Sequence, residues 1–198
     1  MAPPPSFRLP RAAWIMARAF TPTLIVALLA LPWTVVMILP GMLRKGLFID
    51  PTGTGMVMLY RSRMLLDLLI LLPLMMVLIP AIPSTLMAVL PARWGLLACA
   101  AILLALVVGF LPLLPREGGS VFPWGPETPK GQRWEIAGLA QLPGTHLTAI
   151  QLALRVIDTV PPAGAVIVAT AGSARLFDQY QRFGFTPGPK HRVHKVIG

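Results

Sequence analysis

The sequence predicts an α-helical membrane bundle of about three transmembrane helices, followed by a small C-terminal α/β domain. The chain has 198 residues, is 56% hydrophobic and has a mean hydropathy of +0.73. Three stretches without charge carry most of this apolar excess, at residues 23–39, 68–92 and 94–115. Beyond residue 132 the pattern changes to strand, helix, strand, helix, strand, which is typical of a sheet layered with helices.

The apolar stretches predict three membrane spans, because each approaches or exceeds the roughly 18–20 residues that cross a bilayer. We place these spans at about residues 20–41, 64–90 and 95–115, within a transmembrane region of residues 1–115. Four prolines interrupt the middle span: Pro73, Pro80, Pro83 and Pro91. That span is predicted to be one kinked helix or a helix followed by a re-entrant segment. The first span is long and is followed by basic residues, so we expect it to remain as an anchor and not to be cleaved as a signal.

Composition excludes several classes of function. Cys99 is the only cysteine and lies in the third predicted span, so there is no intrachain disulfide and no thiol pair for zinc. No metal site is predicted, because no cluster of ligand side chains has the required spacing. The net charge of +10 is shared by both halves, with eight cationic and two acidic residues up to position 115 and nine and five after it. We therefore expect the lipid bilayer to be the partner of the basic residues, with no specific nucleic acid.

The distribution of basic residues also predicts an orientation in the plasma membrane. The loop from Arg44 to Arg63 carries four cationic side chains, and Arg116, Lys130 and Arg133 follow the last span. Basic residues next to spans favour the cytoplasmic side. We therefore expect this first loop and the C-terminal domain to be cytoplasmic, with the N-terminal tail on the opposite side.

The last third of the chain predicts a linker and then an α/β domain. Residues 116–132 are rich in proline and glycine and have no hydrophobic period, which indicates a linker. In the domain at 133–198, we predict strands at 134–142 and 165–170, with a helix between them ending near Thr159. A second helix is predicted from an N-cap at Ser173 to a left-handed glycine at Gly184, before a further strand.

This domain resembles the C-terminal half of the GNAT superfamily of N-acetyltransferases over roughly 65 residues. The resemblance is carried by the strand ending Leu139-Ala-Gln-Leu-Pro143, the helix after it, and Tyr180-Gln-Arg-Phe-Gly184-Phe185. It implies acetyl-CoA as co-substrate, with its pyrophosphate at a turn that opens the helix, where free amides and the positive helix end attract phosphate. The implied cofactor-binding residues are Gln141, Gly144, Thr145 and His146; a register shifted to begin at His146 fits no better. The family's N-terminal strands and helices, which build much of its acceptor site, have no visible counterpart at residues 116–133.

Two residues are candidates for catalysis. The resemblance implies that the Tyr180 hydroxyl protonates the departing CoA thiolate as a general acid. His146 is a candidate general base because histidine titrates near neutral pH. Each has a structural alternative: Tyr180 as a helix residue packed on the sheet, and His146 as a residue that caps the turn or faces solvent.

Two functions from different classes follow. The first is a membrane-anchored GNAT-like N-acyltransferase that moves an acetyl group from acetyl-CoA to an amine acceptor. The alternative is a non-catalytic membrane subunit or scaffold whose degenerate GNAT-like domain mediates assembly, with a protein partner or a second copy of the chain, because unpaired strand edges recruit partners. A small transporter or channel subunit is the weakest hypothesis.

Overall fold

A computed structural model describes residues 8–21, 23–114 and 122–198, with the side chains of the third helix described only in part. The N-terminal half contains helices α1 (Leu9–Phe20) and α2 (Leu24–Leu43), strands β1 (Leu47–Ile49) and β2 (Gly55–Arg61), and helices α3 (Met64–Val89) and α4 (Ala92–Phe110) with a short turn at Leu111–Leu113. The C-terminal half contains β3 (Arg133–Gln141), α5 (Thr148–Thr159), β4 (Val166–Thr170), α6 (Ala174–Arg182), β5 (Thr186–Pro187) and β6 (Arg192–Val196).

Six strands form one mixed sheet in the order β1-β2-β3-β4-β6-β5. Strands β3 and β4 are parallel, and every other neighbouring pair is antiparallel. The elements predicted beyond residue 132 are present close to their predicted bounds. The Ser173 hydroxyl accepts the Leu176 amide at 3.3 Å as the N-cap of α6, and Gly184 has a φ of +79° after its end.

The sheet begins earlier in the chain than the sequence predicted. Residues 44–63 were expected to be a loop between membrane spans, but β1 and β2 lie within them, and all seven residues of β2 pair with β3. The domain therefore includes residues 47–61, and residues 1–115 are not a membrane region alone. The reason is that β2 is buried on both faces, so it reads as a short apolar run without the alternation that marks a strand.

Helices cover both faces of the sheet. Met56, Met58 and Tyr60 of β2 pack against α1 and α2 on one face. Val57 and Leu59 point the other way, into a core shared with α5 and α6. This separation follows from the period of two along a strand. The central strands are thus enclosed between two helical layers.

Helix α1 runs antiparallel to α2 on the sheet. The Thr34 hydroxyl donates to the Ala13 carbonyl oxygen at 3.2 Å, and Ala17 packs against Ala27 and Ala30. Small residues at this contact allow the two helix backbones to approach closely. The first predicted span therefore has one face covered by α1 and the sheet along much of its length.

Among the described residues, two helices are long and apolar enough to cross a membrane by length and composition, namely Leu24–Leu43 and Ala92–Leu113. The middle span predicted at 64–90 forms one continuous helix, α3, with three prolines inside it. Cys99 is half-buried on α4, where its sulfur lies 4.0 Å from the Pro83 carbonyl oxygen, which agrees with a packing role. The count of three spans stays a prediction.

The part of the predicted linker that the structure describes, residues 122–132, is tied to the last strand. The Arg192 Nε atom lies 2.7 Å from Glu127 Oε1, and a second guanidinium nitrogen donates to the Trp124 carbonyl oxygen at 3.5 Å. Residues 115–121, including the predicted orientation signal Arg116, lie outside the described residues.

Gly109 sets the distance between α2 and α4. A Cβ atom at Gly109 would lie 2.1 Å from the Leu29 carbonyl oxygen, and near this contact the Trp33 indole donates to the Leu106 carbonyl oxygen at 2.9 Å. We predict that Gly109→Val forces the helices apart and lowers the free energy of unfolding by about 1–3 kcal/mol. Thermal unfolding in detergent measures this. Gly95→Ala is the control, because the nearest atom to its Cβ would be the flexible Met87 sulfur, at 3.0 Å, and the nearest backbone atoms would be at 3.6 Å; equal losses in both variants would contradict the close helix contact.

Candidate functional site

The turn between β3 and α5 brings together the four residues that the sequence assigned to cofactor binding. The Gln141 side-chain amide donates to the Thr145 carbonyl oxygen at 2.8 Å, so Gln141 holds the turn from inside. Both the amide and the hydroxyl of Thr145 donate to the Leu142 carbonyl oxygen, at 3.2 and 2.6 Å. Gly144 has a φ of +83°, a conformation that strongly favours glycine. The turn is therefore held in one defined shape by its own residues.

Helix α5 begins without a side-chain cap. Its N-cap residue is Leu147, which has a left-handed backbone with a φ of +58°. The first hydrogen bond into the helix runs from the Gln151 amide to the Leu147 carbonyl oxygen, at 2.9 Å. Within the described ranges, the amides of residues 148–150 meet no acceptor, and the buried Thr148 hydroxyl has no partner. A helix start of this kind attracts an anion, because its free amides and the helix dipole add together.

Strands β3 and β4 separate just before this turn. They pair only over Arg133–Ile136 and Val166–Ala169, and the rest of β3 pairs with β2 alone. A bulge lies at the point of separation: Leu59 pairs with Ile136 and Met58 with Gly138, which leaves Ala137 as an extra residue. A bulge bends its strand and increases the local twist. Beyond Ile136, β3 continues past the end of β4 at Thr170, and the space beside it, termed the cleft, lies at the carboxyl ends of two parallel strands, where ligands of α/β sheets commonly bind.

Tyr180 lies on α6, across the core from α5. Its side chain is only 6% exposed, and its ring meets Phe185 edge-to-face with centroids 5.1 Å apart. Among the described residues, no group forms a hydrogen bond with its hydroxyl. Burial raises the pKa of this hydroxyl above its ordinary value, because the phenolate is disfavoured away from water. Tyr180 is therefore a protonated group at neutral pH.

The structure does not bring the two catalytic candidates into contact. His146 is exposed on the turn, and in the part of the chain that is described no hydrogen bond or ring contact joins it to Tyr180. Tyr180 instead lines a small cavity of about 20 Å³ between α5 and α6, with Leu139, Ile150 and Phe183 in the same wall. This space is large enough for about one water molecule and too small for the arm of a cofactor.

A buried hydroxyl of this kind predicts a change of stability at alkaline pH. The folded pKa lies above the unfolded value of about 10, so above that pH the native state binds more protons than the unfolded state. The free energy of unfolding should therefore fall as pH rises beyond about 10. Thermal unfolding between pH 8 and 11 measures the fall, and Tyr180→Phe should reduce it. An identical pH profile for the variant would mean that the hydroxyl is not buried.

The residues on which this turn and the start of α5 pack, Thr54 and Gly55, were not predicted from the sequence. The Thr54 carbonyl oxygen accepts the Leu142 amide at 2.8 Å, which joins the β1–β2 loop to the turn. Gly55 lies directly under the first turn of α5, where a Cβ atom would come within 2.7 Å of the Ala149 nitrogen. The glycine-rich segment from Asp50 to Gly55 was the signal that could have identified them, but it lies within residues 44–63, which were predicted to be a loop between spans.

Asp50 orders that loop. Its buried carboxylate accepts the Thr54 amide at 2.8 Å and the Thr52 amide at 3.2 Å, together with the Gly55 amide and the Thr52 hydroxyl. Burial opposes ionisation of the carboxyl group, but the hydrogen bonds from Thr52, Gly55 and Thr54 outweigh it, so the pKa of Asp50 lies below its ordinary value.

The chain matches no protein-family model, no curated protein and no solved structure. Across the residues that the structure describes, no group of three or more histidine, cysteine, aspartate or glutamate side chains could hold a metal ion. The geometry of this cleft and the motif resemblance are therefore the two features that bear on function.

Proposed function

We propose that the chain is a membrane-anchored N-acyltransferase of the GNAT type, which transfers an acetyl group from acetyl-CoA to an amine. The observation that carries this proposal is the separation of β3 from β4 beyond Ile136, with the free amides of α5 at the mouth of the cleft. An extended thioester cofactor needs both an anion site for its diphosphate and a gap in the sheet for its pantetheine arm.

The turn would bind the diphosphate through backbone groups. The amides of Gly144 and His146 and the first turn of α5 would donate to phosphate oxygens, aided by the helix dipole, while the Thr145 amide is already bonded to the Leu142 carbonyl oxygen. Gln141 would act as a positioning residue, because its side chain holds the Thr145 carbonyl oxygen and so fixes the direction of these amides. This assignment needs no side-chain charge at the turn, since backbone amides supply the contacts.

Transfer would proceed by attack of the neutral amine nitrogen on the thioester carbonyl carbon. A C–N bond forms and the C–S bond breaks, and the departing CoA thiolate takes the proton of the Tyr180 hydroxyl. The proton lost by the amine passes to water or to His146 and from there returns to the Tyr180 phenolate, which restores the hydroxyl. The role of His146 as general base stays a prediction. Because the cavity beside Tyr180 has room for only about one water molecule, a thioester would reach the hydroxyl only after α5 and α6 move apart at this point.

The N-terminal half of the sheet supports an acceptor site within this chain. The resemblance covered only residues after 132 and left the acceptor half of the family without a counterpart. Helices α1 and α2 and strands β1 and β2 precede β3 and pack into the same domain. They offer strands and helices in the place where the family builds much of that site.

Calorimetric titration of the purified full chain with acetyl-CoA tests the proposal. We expect saturable binding at one site, and weaker binding of pantetheine, which lacks the diphosphate. Equal affinities for the two ligands would show that the amide turn does not bind the diphosphate. The absence of any heat of binding at millimolar acetyl-CoA would overturn the proposal. The non-catalytic scaffold would then be the remaining candidate function.

A non-catalytic scaffold is the second candidate function. The small size of the cavity beside Tyr180, about 20 Å³, favours it, because an enzyme with a preformed cofactor site would have a larger cavity there. The sheet also ends at two short strands, β1 and β5, and within the described part of the chain no strand pairs with their outer edges, which suits them to bind a partner. Chemical cross-linking of the detergent-solubilised chain, with and without acetyl-CoA, separates the candidates: a stable oligomer with no response to the cofactor supports the scaffold.

We further infer that α3 and α4 form the membrane anchor as a hairpin. Strands β2 and β3 pair in one sheet, so the chain between them must cross the bilayer an even number of times. Helix α1 also packs on that sheet and on α2, which places both ends of α2 beside one domain and argues against a crossing by α2. Two spans, and not three, therefore fit the packing best, with the α/β domain on the cytoplasmic side.

Cysteine labelling in intact cells tests this arrangement. The chain has one cysteine, so Cys99→Ser gives a background into which single cysteines are placed at Arg11, Arg93 and Gly172. We expect an impermeant maleimide to label position 93 from outside, and positions 11 and 172 only after permeabilisation. Labelling of position 11 from outside would restore the three-span arrangement.

A further inference from the structure

A second cavity, of about 340 Å³, lies where the sheet meets the membrane helices. Its wall is built from the end of α2, the end of β2, the start of α3 and Trp134 of β3. Four cationic side chains line it: Arg44, Lys45, Arg61 and Arg63. Among the described residues, no carboxylate does so. The nearest acid in the sheet, Glu135, accepts the Ser62 hydroxyl at 3.1 Å and is not part of the wall.

Arg44 is a fixed part of this wall. Its guanidinium donates to the carbonyl oxygens of Arg61 and Arg63, at 3.2 and 3.1 Å, and lies over the Tyr60 ring at 5.0 Å from the centroid. These bonds join the end of α2 to the segment between β2 and α3. The backbone that carries the other cations is therefore held in place without their side chains.

Gly46 keeps the wall closed on the sheet side. A Cβ atom there would lie 2.5 Å from the Leu59 carbonyl oxygen, and the Leu59 amide donates to the Gly46 carbonyl oxygen at 2.8 Å. The turn after α2 thus rests directly on β2, and Lys45, with a φ of +54°, projects from it.

Three of the four cations have no counter-charge. Lys45, Arg61 and Arg63 are exposed, and none of them forms an ion pair with any group in the described ranges. Like charges that converge on one cavity repel each other unless an anion lies between them. In addition, the Trp134 indole nitrogen is a buried donor without an acceptor among the described groups. Both features indicate a bound anion with hydrogen-bond acceptors.

The position of the cavity indicates where the anion comes from. Leu43 at the end of α2 is 57% exposed, and Leu66 in the first turn of α3 is 40% exposed and lines the cavity. In the proposed arrangement α3 enters the hydrocarbon at this point, so the cavity lies at the level of the lipid head groups. Cations at this level attract anionic head groups, while apolar side chains beside them suit acyl chains.

We propose that this cavity binds the phosphate of an anionic phospholipid head group, with Lys45, Arg61 and Arg63 as its charged contacts and Leu66 beside the acyl chains. The inference rests on the membrane placement of α3 and is independent of acyl transfer. A phosphate could also come from a soluble molecule, so the test includes both sources.

Native mass spectrometry of the full chain in neutral detergent measures the binding, with phosphatidylglycerol and phosphatidylcholine offered separately. We expect one retained phosphatidylglycerol in the wild type. The triple variant Lys45→Gln, Arg61→Gln, Arg63→Gln should bind it roughly 100-fold more weakly. The charge-preserving variant Lys45→Arg, Arg61→Lys, Arg63→Lys should keep most of the affinity. Arg175→Gln, Arg182→Gln, Lys190→Gln removes three exposed charges elsewhere and is the matched control.

Three results would overturn the proposal. They are equal affinity for the two lipids, an equal loss in the matched control, and unchanged binding in the triple glutamine variant. Inorganic phosphate tests whether the ligand is a soluble phosphate instead of a lipid head group. If it raises the melting temperature of the wild type without lipid, and displaces phosphatidylglycerol at millimolar concentration, the ligand is a soluble phosphate and the lipid assignment is wrong.

Discussion

Replacing Tyr180 with phenylalanine is expected to lower kcat for acetyl transfer by about 10²–10⁴-fold, while the affinity for acetyl-CoA stays within about twofold. The hydroxyl is buried, has no hydrogen-bond partner among the described residues, and has a raised pKa, so it keeps its proton at neutral pH. Its loss removes only the proton donor for the thiolate, because the ring and its contact with Phe185 remain. Release of CoA thiol, followed with a chromogenic thiol reagent and spermidine as the acceptor, measures kcat.

Tyr60→Phe is the control for this prediction. Tyr60 is the other tyrosine of the chain and belongs to β2, where it packs on the face opposite to Tyr180. Its loss should leave kcat nearly unchanged. If Tyr180→Phe is as active as Tyr60→Phe, Tyr180 is a packing residue and the general-acid role is excluded.

Replacing Asp50 with alanine is expected to cause the largest loss of stability, about 3 kcal/mol. The carboxylate is 7% exposed and accepts amides of Thr52, Thr54 and Gly55, which would lose their acceptor inside the protein. The loop also supports the turn through Thr54, so acetyl-CoA affinity should fall together with stability. Thermal unfolding in detergent and calorimetry measure the two effects.

Asp158→Ala is the matched control, since Asp158 is an exposed carboxylate on α5. Acid pH provides a second check. Because the pKa of Asp50 is lowered by folding, its contribution is fully present above the unfolded pKa of about 4 and is lost as pH falls through the folded value. A variant with alanine at position 50 that is as stable as the control at pH 7 would show that these hydrogen bonds do not order the loop.

The sequence was most informative where local signals agreed with tertiary packing. Ser173 and Gly184 mark the ends of α6 by capping chemistry that depends only on neighbouring residues. The strand before Pro143 and the helix after it were predictable from hydrophobic periodicity, although α5 begins without a side-chain cap. The four residues assigned to the turn do lie together, because they are adjacent in the chain.

The missed features depend on contacts between distant segments. β2 pairs with β3 across more than 70 residues that contain α3 and α4, and no local pattern in residues 55–61 identifies β3 as the partner strand. The bulge at Ala137 is defined by the pairing register between β3 and β2, which the sequence of β3 alone does not show. Likewise, α2 has the composition of a membrane span, but its packing against α1 cannot be predicted from that composition.

Hydrogen exchange of the full chain, with and without saturating acetyl-CoA, tests the central claim most directly, namely that the cleft between β3 and β4 binds acyl-CoA through the turn after it. We predict slower exchange at the amides of residues 137–150 in the presence of the cofactor, since these groups would bond to the diphosphate and line the pantetheine arm. Unchanged exchange rates across residues 137–150, or protection confined to other parts of the chain, would contradict it.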